Sequence, residues 1–219
     1  MRPPLIAELS GLDRRWALIN RKAGISPDPK QVRVGLELKL ALLSLAQSYP
    51  RAQQVAAGLV DLARSAPEVS KLATDQLDAL RMASPRTALR VAASAAIRSL
   101  ATGEPFPKPA DETGQSSPAV FIVAADESQR AQAERLVQAL TRGGLDAQGV
   151  DVLGAGQEAR WQAPEGLEIR FWQGEQEAPF QQKLAQVVEE AAGQAPKLVG
   201  VSPAAGVEPG TYEVWLPKR

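Results

Sequence analysis

Chemistry at a protein site draws on a short list of side chains, and this chain lacks two of them. Its 219 residues include no histidine and no cysteine. That excludes the Ser-His-Asp triad, imidazole bases, thiol nucleophiles and disulfides, and leaves zinc only a disfavoured all-carboxylate site. A serine nucleophile could use lysine, but no Ser-x-x-Lys occurs, and the adjacent Ser70 and Lys71 point to different helix faces. Asp126-Glu127 falls at an expected helix start, where negative charge is favoured by the helix dipole. Glu175 and Glu177 also precede a helix, and Glu189-Glu190 reads as a solvated face. Gly154-Ala155-Gly156 lacks the third glycine and the Lys-Ser/Thr of a phosphate-binding loop. The residues therefore point to no enzyme, no metal and no cofactor.

Two aromatics are better placed for recognition. Trp172 and Trp215 are each out of phase with the apolar set of their strand, Leu167, Ile169 and Phe171 in one and Tyr212, Val214 and Leu216 in the other. They should emerge on the opposite sheet face with Glu168, Arg170 and Glu213, and be dispensable for the core. A face bearing two tryptophans is expected to be covered by a domain or to bind a partner. The candidate partner-binding residues are thus Trp172, Trp215, Arg170 and Glu213. A second aromatic-basic cluster, Arg14-Arg15-Trp16 with Arg21-Lys22, could meet nucleic acid. Trp16, however, falls on the apolar stripe of Leu9, Leu12 and Ile19, which makes it a core residue.

Charge divides unevenly. Residues 1–100 carry 15 Lys/Arg and 8 Asp/Glu; residues 101–219 carry 10 and 17. Opposite signs suit two domains that attract each other, or a basic half that meets an anionic surface. The basic residues are not clustered, so the first reading is preferred to the nucleic-acid one.

The elements that must position these residues fall into two regions. Residues 1–102 read as short helices punctuated by prolines at or near their starts, Pro27, Pro50, Pro67 and Pro85. Ser65 and Glu68 have the spacing of a capping box. Apolar stripes run through Leu5 to Ile19, Leu36/Leu40/Leu43, Val55/Leu59/Leu62, Leu72/Leu77/Leu80 and Leu89/Ala93/Ala96/Leu100. Helices this short must pack on one another, as a bundle or a stack of helix pairs. Residues 103–118, with four prolines in polar filler, form a linker.

Residues 119–217 alternate strand and helix. Val120–Val123 is a short apolar strand. A helix capped by Asp126 follows, with Ala133, Leu136, Val137 and Leu140 on one face and a stop at Gly143-Gly144. The strand from Leu145 to Val152 changes phase at Gly149, which predicts a bulge or turn. Leu167–Trp172, a helix through Phe180, Leu184 and Val188, Lys197–Val201 and Tyr212–Leu216 complete the order β-α-β-β-α-β-β. The fold class is α+β: a helical region, then a small sandwich with helices on one sheet face.

This second region resembles the LytR C-terminal domain, a small α/β module of bacterial proteins. The likeness covers about residues 118–217. It rests on the order of elements, on Leu167-Glu168-Ile169-Arg170-Phe171-Trp172 with its following helix, and on the ending Pro209-Gly-x-Tyr-Glu-Val-Trp-Leu-Pro217. Members often place an Asn-Gly-Thr-Gly-like turn after the first strand. Ala124–Ser128 stands there instead, so a ligand held by that turn in relatives is not implied here. The resemblance implies a binding or accessory module, sometimes tied to cell-envelope polymers, with no catalytic residues to carry over.

No apolar signal region follows Arg2-Pro3-Pro4, and the apolar stretch Leu36–Ala46 is interrupted by Glu37 and Lys39. The expected setting is cytoplasmic, without a membrane span. The expected function is a non-enzymatic interaction or regulatory module that binds a protein partner through the helical domain and the open sheet face. The alternatives are a nucleic-acid-associated protein and an envelope-polymer accessory domain.

Overall fold

A computed structural model of the chain describes residues 29–46, 49–106, 118–154, 157–173, 178–202, 207 and 210–218. The fold is α+β, with a helical region followed by a five-stranded mixed sheet. The chain divides into two compact units, one of Met1–Ala83 and Ala88–Asp111, the other of Ser84–Thr87 and Glu112–Arg219. The Leu5–Ile19 stripe and the Arg14–Lys22 cluster lie outside the described residues, as does most of the 103–118 linker.

The helical unit contains α1 (Pro29–Ser44), α2 (Tyr49–Ser65), α3 (Pro67–Ala83) and α4 (Thr87–Thr102). α1, α2 and α3 pack on one another. Their apolar faces, Val32, Leu36 and Leu43 from α1 and Ala52, Leu59 and Val60 from α2, are fully buried. A methyl group on Gly58 in α2 would come within 3.0 Å of Lys39 Nζ in α1, so glycine there lets a buried lysine lie against the neighbouring helix. Arg64 in α2 ties down the end of α4. Its Nη2 donates to the Ser99 carbonyl (2.8 Å), to Ser99 Oγ (2.9 Å) and to the Glu104 carbonyl just past the helix.

Two local expectations are corrected. Ser65 forms no capping box, because its hydroxyl donates back to the Leu62 carbonyl (2.9 Å) as the last residue of α2. In α3 the buried stripe is Val69, Ala73 and Leu77, with Leu72 and Leu80 only half-buried beside it.

The second unit is built from two parallel β-α-β crossovers. The first is β1 (Ala119–Ala124), a 3-10 turn (Glu127–Gln129), α5 (Arg130–Arg142) and β2 (Asp146–Val152). The second is β3 (Glu168–Trp172), α7 (Ala178–Ala192) and β4 (Lys197–Val201), with a four-residue helix α6 (Gln157–Arg160) between the two crossovers. The last strand, β5 (Thr211–Trp215), runs parallel to β1 and antiparallel to β3, giving the order β2-β1-β5-β3-β4. Both long helices cover one face: Leu136 and Leu140 of α5 and Leu184 and Val188 of α7 share a core with Val120, Ile122, Ile169, Tyr212 and Val214.

The local signals explain these boundaries. Asp126 Oδ1 accepts from the Ser128 amide (2.7 Å) and starts the turn into α5. α5 ends in a Schellman motif: the Leu145 amide reaches the Leu140 carbonyl and the Gly144 amide that of Thr141, both at 3.0 Å, with Gly144 at φ 69°. The phase change in β2 is a register shift opposite Val120/Phe121, where Gly149 takes φ 144°. β4, an apolar strand by composition, lies at the sheet edge and is largely exposed.

Candidate binding face of the α/β unit

Strand alternation sends Tyr212 and Val214 of β5 and Ile169 and Phe171 of β3 into the helix-covered core. Glu213, Trp215, Glu168, Arg170 and Trp172 therefore share the opposite face. Register arranges them in rows. Glu168 lies opposite Trp215 and beside Lys197; Arg170 lies opposite Glu213 and beside Val199; Trp172 lies beside Val201.

Arg170 is the hub of this face. Its guanidinium carbon sits 4.2 Å from the Trp215 ring centroid. Nε donates to Glu168 Oε2 (3.1 Å), Nη1 to the Trp161 carbonyl (3.2 Å) and Nη2 to the Gln162 carbonyl (2.6 Å). The planar fork thus binds the sheet to the turn after α6, where Gln162 is held at φ 52°. Stacking on a partly desolvated indole adds about 0.5–2 kcal/mol. Trp215 Nε1 donates to Glu213 Oε2 (2.7 Å), so the buried indole and carboxylate satisfy each other.

Trp215 lies on the face that strand phase assigns to it, but that face is closed there. Trp215 joins Val123, Ala125, Leu153 and Ala163 in a second cluster with Trp161 packed against it, and is 3% exposed; Glu213 is 4% exposed. The chain's own segment between β2 and β3 is the cover over Trp215, so this indole is core rather than dispensable. Trp172 is half-buried and lies four residues along β3 from Glu168, the residue opposite Trp215. At ~3.3 Å per residue that separates the two tryptophans by roughly 13 Å, so they form no joint patch.

The other half of the face is open. A cleft of ≈ 400 Å³ lies between the α6 turn and the outer strands. Arg160, Trp161 and Gln162 form one wall; Glu168, Arg170, Val199 and Val201 form the other. Arg160 stacks on Trp161 at 4.6 Å. The wall residues escaped the sequence reading because a four-residue helix has too few positions to show a period. The adjacent pair Arg160-Trp161 was the only local signal.

The other motifs have structural roles. Gln157 Oε1 accepts from the Gly154 amide (2.6 Å), which makes that glycine part of a turn; Ala155 and Gly156 lie outside the described residues. Glu127 is bonded to Arg130, whose pKa this hydrogen bond raises against the opposing effect of burial. Lys71 pairs with Asp75 (2.6 Å) and Arg81 with Asp78 (2.7 Å), while Arg90 is 1% exposed, so many described cations of the helical unit are already engaged or buried. Among the described residues no group of His, Cys, Asp or Glu could hold a metal ion, and no helix is long and apolar enough to cross a membrane. Comparison with protein-family models, curated proteins and solved structures finds no match to this chain.

Proposed function

We propose that the protein is a non-enzymatic interaction module whose α/β unit takes a protein partner on the β3–β4 half of the sheet face opposite its helices. One observation carries this reading: the chain closes that face over Trp215 with its own segment but leaves the cleft beside Arg170, Val199 and Val201 open. Aromatic, arginine and aliphatic groups side by side are the composition of protein contact sites. The order β-α-β-β-α-β-β and the Tyr212–Pro217 ending support reading this unit as a LytR C-terminal-like accessory module of a bacterial protein. The helical unit is then a second docking element of the same chain.

The test is a photo-crosslinking residue at position 172 or 201 of the intact chain, with position 189 on the exposed face of α7 as control. Discrete protein adducts in a bacterial lysate are expected from 172 and 201 and not from 189. Equal, diffuse labelling at all three positions would remove this face from the function.

A further inference from the structure

The cover over Trp215 is held differently from the floor beneath it. Val123 of β1 and Trp215 of β5 belong to strands that are paired on both sides in the middle of the sheet. The cover, residues 157–165, lies outside every strand. Of its described side chains only Gln157, Ala163 and Pro164 are buried.

Polar links fasten this segment to the rest of the unit. Arg170 holds the Trp161 and Gln162 carbonyls. The Lys218 amide donates to the Pro164 carbonyl (2.8 Å), and Lys218 Nζ pairs with Glu165 Oε1 (2.6 Å) between side chains that are 47% and 82% exposed. An ion pair so open to water contributes little. The bonds between Gly154 and Gln157 stay within the segment's own turn and need no sheet. Against these links stands Gln162 at φ 52°, left-handed backbone that a Cβ makes costly.

A cover with little buried surface, polar fastenings and one strained residue belongs at the low end of local stability, and its doubly paired floor at the high end. The same segment walls the open cleft through Trp161 and Gln162, while Arg170 both lines that cleft and stacks on the Trp215 ring. Lifting the segment therefore joins the closed and open halves of the face.

We infer that residues 157–165 are a lid: they lift from Trp215 while the sheet stays folded, and the cleft then runs from Val199 and Val201 across Arg170 to the indole. The lid is a property of the chain alone; its use as a gate on partner contact rests on the interaction reading above. Closed, it keeps a large aromatic from water; open, it adds that aromatic to the contact surface.

The chain has no cysteine, so an introduced thiol is its sole one. Ala163→Cys places a thiol in the lid against the Trp215 cluster, and Ala133→Cys places one in the core beneath α5. Maleimide labelling of the full chain, followed by mass spectrometry, is expected to be about 100-fold faster at 163 than at 133, and independent of urea at low concentration at 163 only. Arg170→Ala should speed labelling at 163 about ten-fold or more beyond any change at 133. Equal rates at the two positions, an equally steep urea dependence, or an equal response to Arg170→Ala would each overturn the lid. Should Ala163→Cys not fold, hydrogen exchange of the unaltered chain decides. The Trp215 indole N–H and the Lys218 amide should then exchange about ten-fold or more ahead of the β5 amides, after correction for intrinsic rates, and exchange in step with β5 would overturn the lid. If labelling at 163 follows global unfolding while position 201 still crosslinks a protein, the lid is wrong and the interaction reading survives. Fast labelling at 163 without crosslinks at 172 or 201 keeps the lid and removes the gate.

Discussion

Arg170 and Trp215 show how one face can be a core at one end and a surface at the other. Replacing Arg170 with Ala removes the donor from the Trp161 and Gln162 carbonyls and the cover from one side of the Trp215 ring. A loss of about 1.5–3 kcal/mol is expected in urea unfolding, as for hydrogen bonds made by a charged group. Lysine should not restore it, having no planar fork. Trp215→Ala should cost about 3–5 kcal/mol as a truncated core aromatic. Trp172→Ala, at a half-buried position, should cost less than about 1 kcal/mol. Equal losses from the two tryptophans would contradict the closed and open halves described above. The phase of each strand, legible from alternation alone, assigned every one of these residues to its face. Which end of the face is covered was not legible, because the cover is an irregular segment with no period of its own.

At the scale of elements, legibility followed the strength of the repeating signal. α5 was readable from Ala133, Leu136, Val137 and Leu140, and its end from two glycines. Gly144→Ala forces a Cβ into left-handed backbone and should lower stability by about 1 kcal/mol, read as a fall in melting temperature. An unchanged melting temperature would mean that the end of α5 frays without consequence. Leu136→Ala and Val188→Ala, which empty the core beneath the two helices, should each cost roughly 2–4 kcal/mol. The failures have physical causes too. Ser65 had a carbonyl one turn back as a competing partner. Ala73, small enough to pack closely, joins Leu77 in the buried stripe of α3, where Leu72 and Leu80 do not. That β4 lies at an edge was not legible, because composition reports hydrophobicity and says nothing about the order of strands in a sheet.

At the scale of the molecule, the last change of unit along the chain falls between Asp111 and Glu112, while Glu104 is held to the helical unit by Arg64. Limited proteolysis should therefore cut first beyond Glu104 and before Pro118, leaving two resistant pieces. A first cut within 120–216 would contradict two separate units. The sheet has a consequence of its own, set by where β5 sits. The two β-α-β crossovers are complete by Val201, but neither touches the other through the sheet until residues 211–215 slide between β1 and β3. During synthesis, then, both halves emerge from the ribosome as two-stranded fragments with β1 and β3 unpaired on their inner sides, and wait for the strand that joins them. Such exposed edges are where nascent chains associate wrongly. A chain stopped at Gly210 should lose amide protection throughout 119–201 in hydrogen exchange rather than only at the missing strand, and should need a chaperone to stay dispersed.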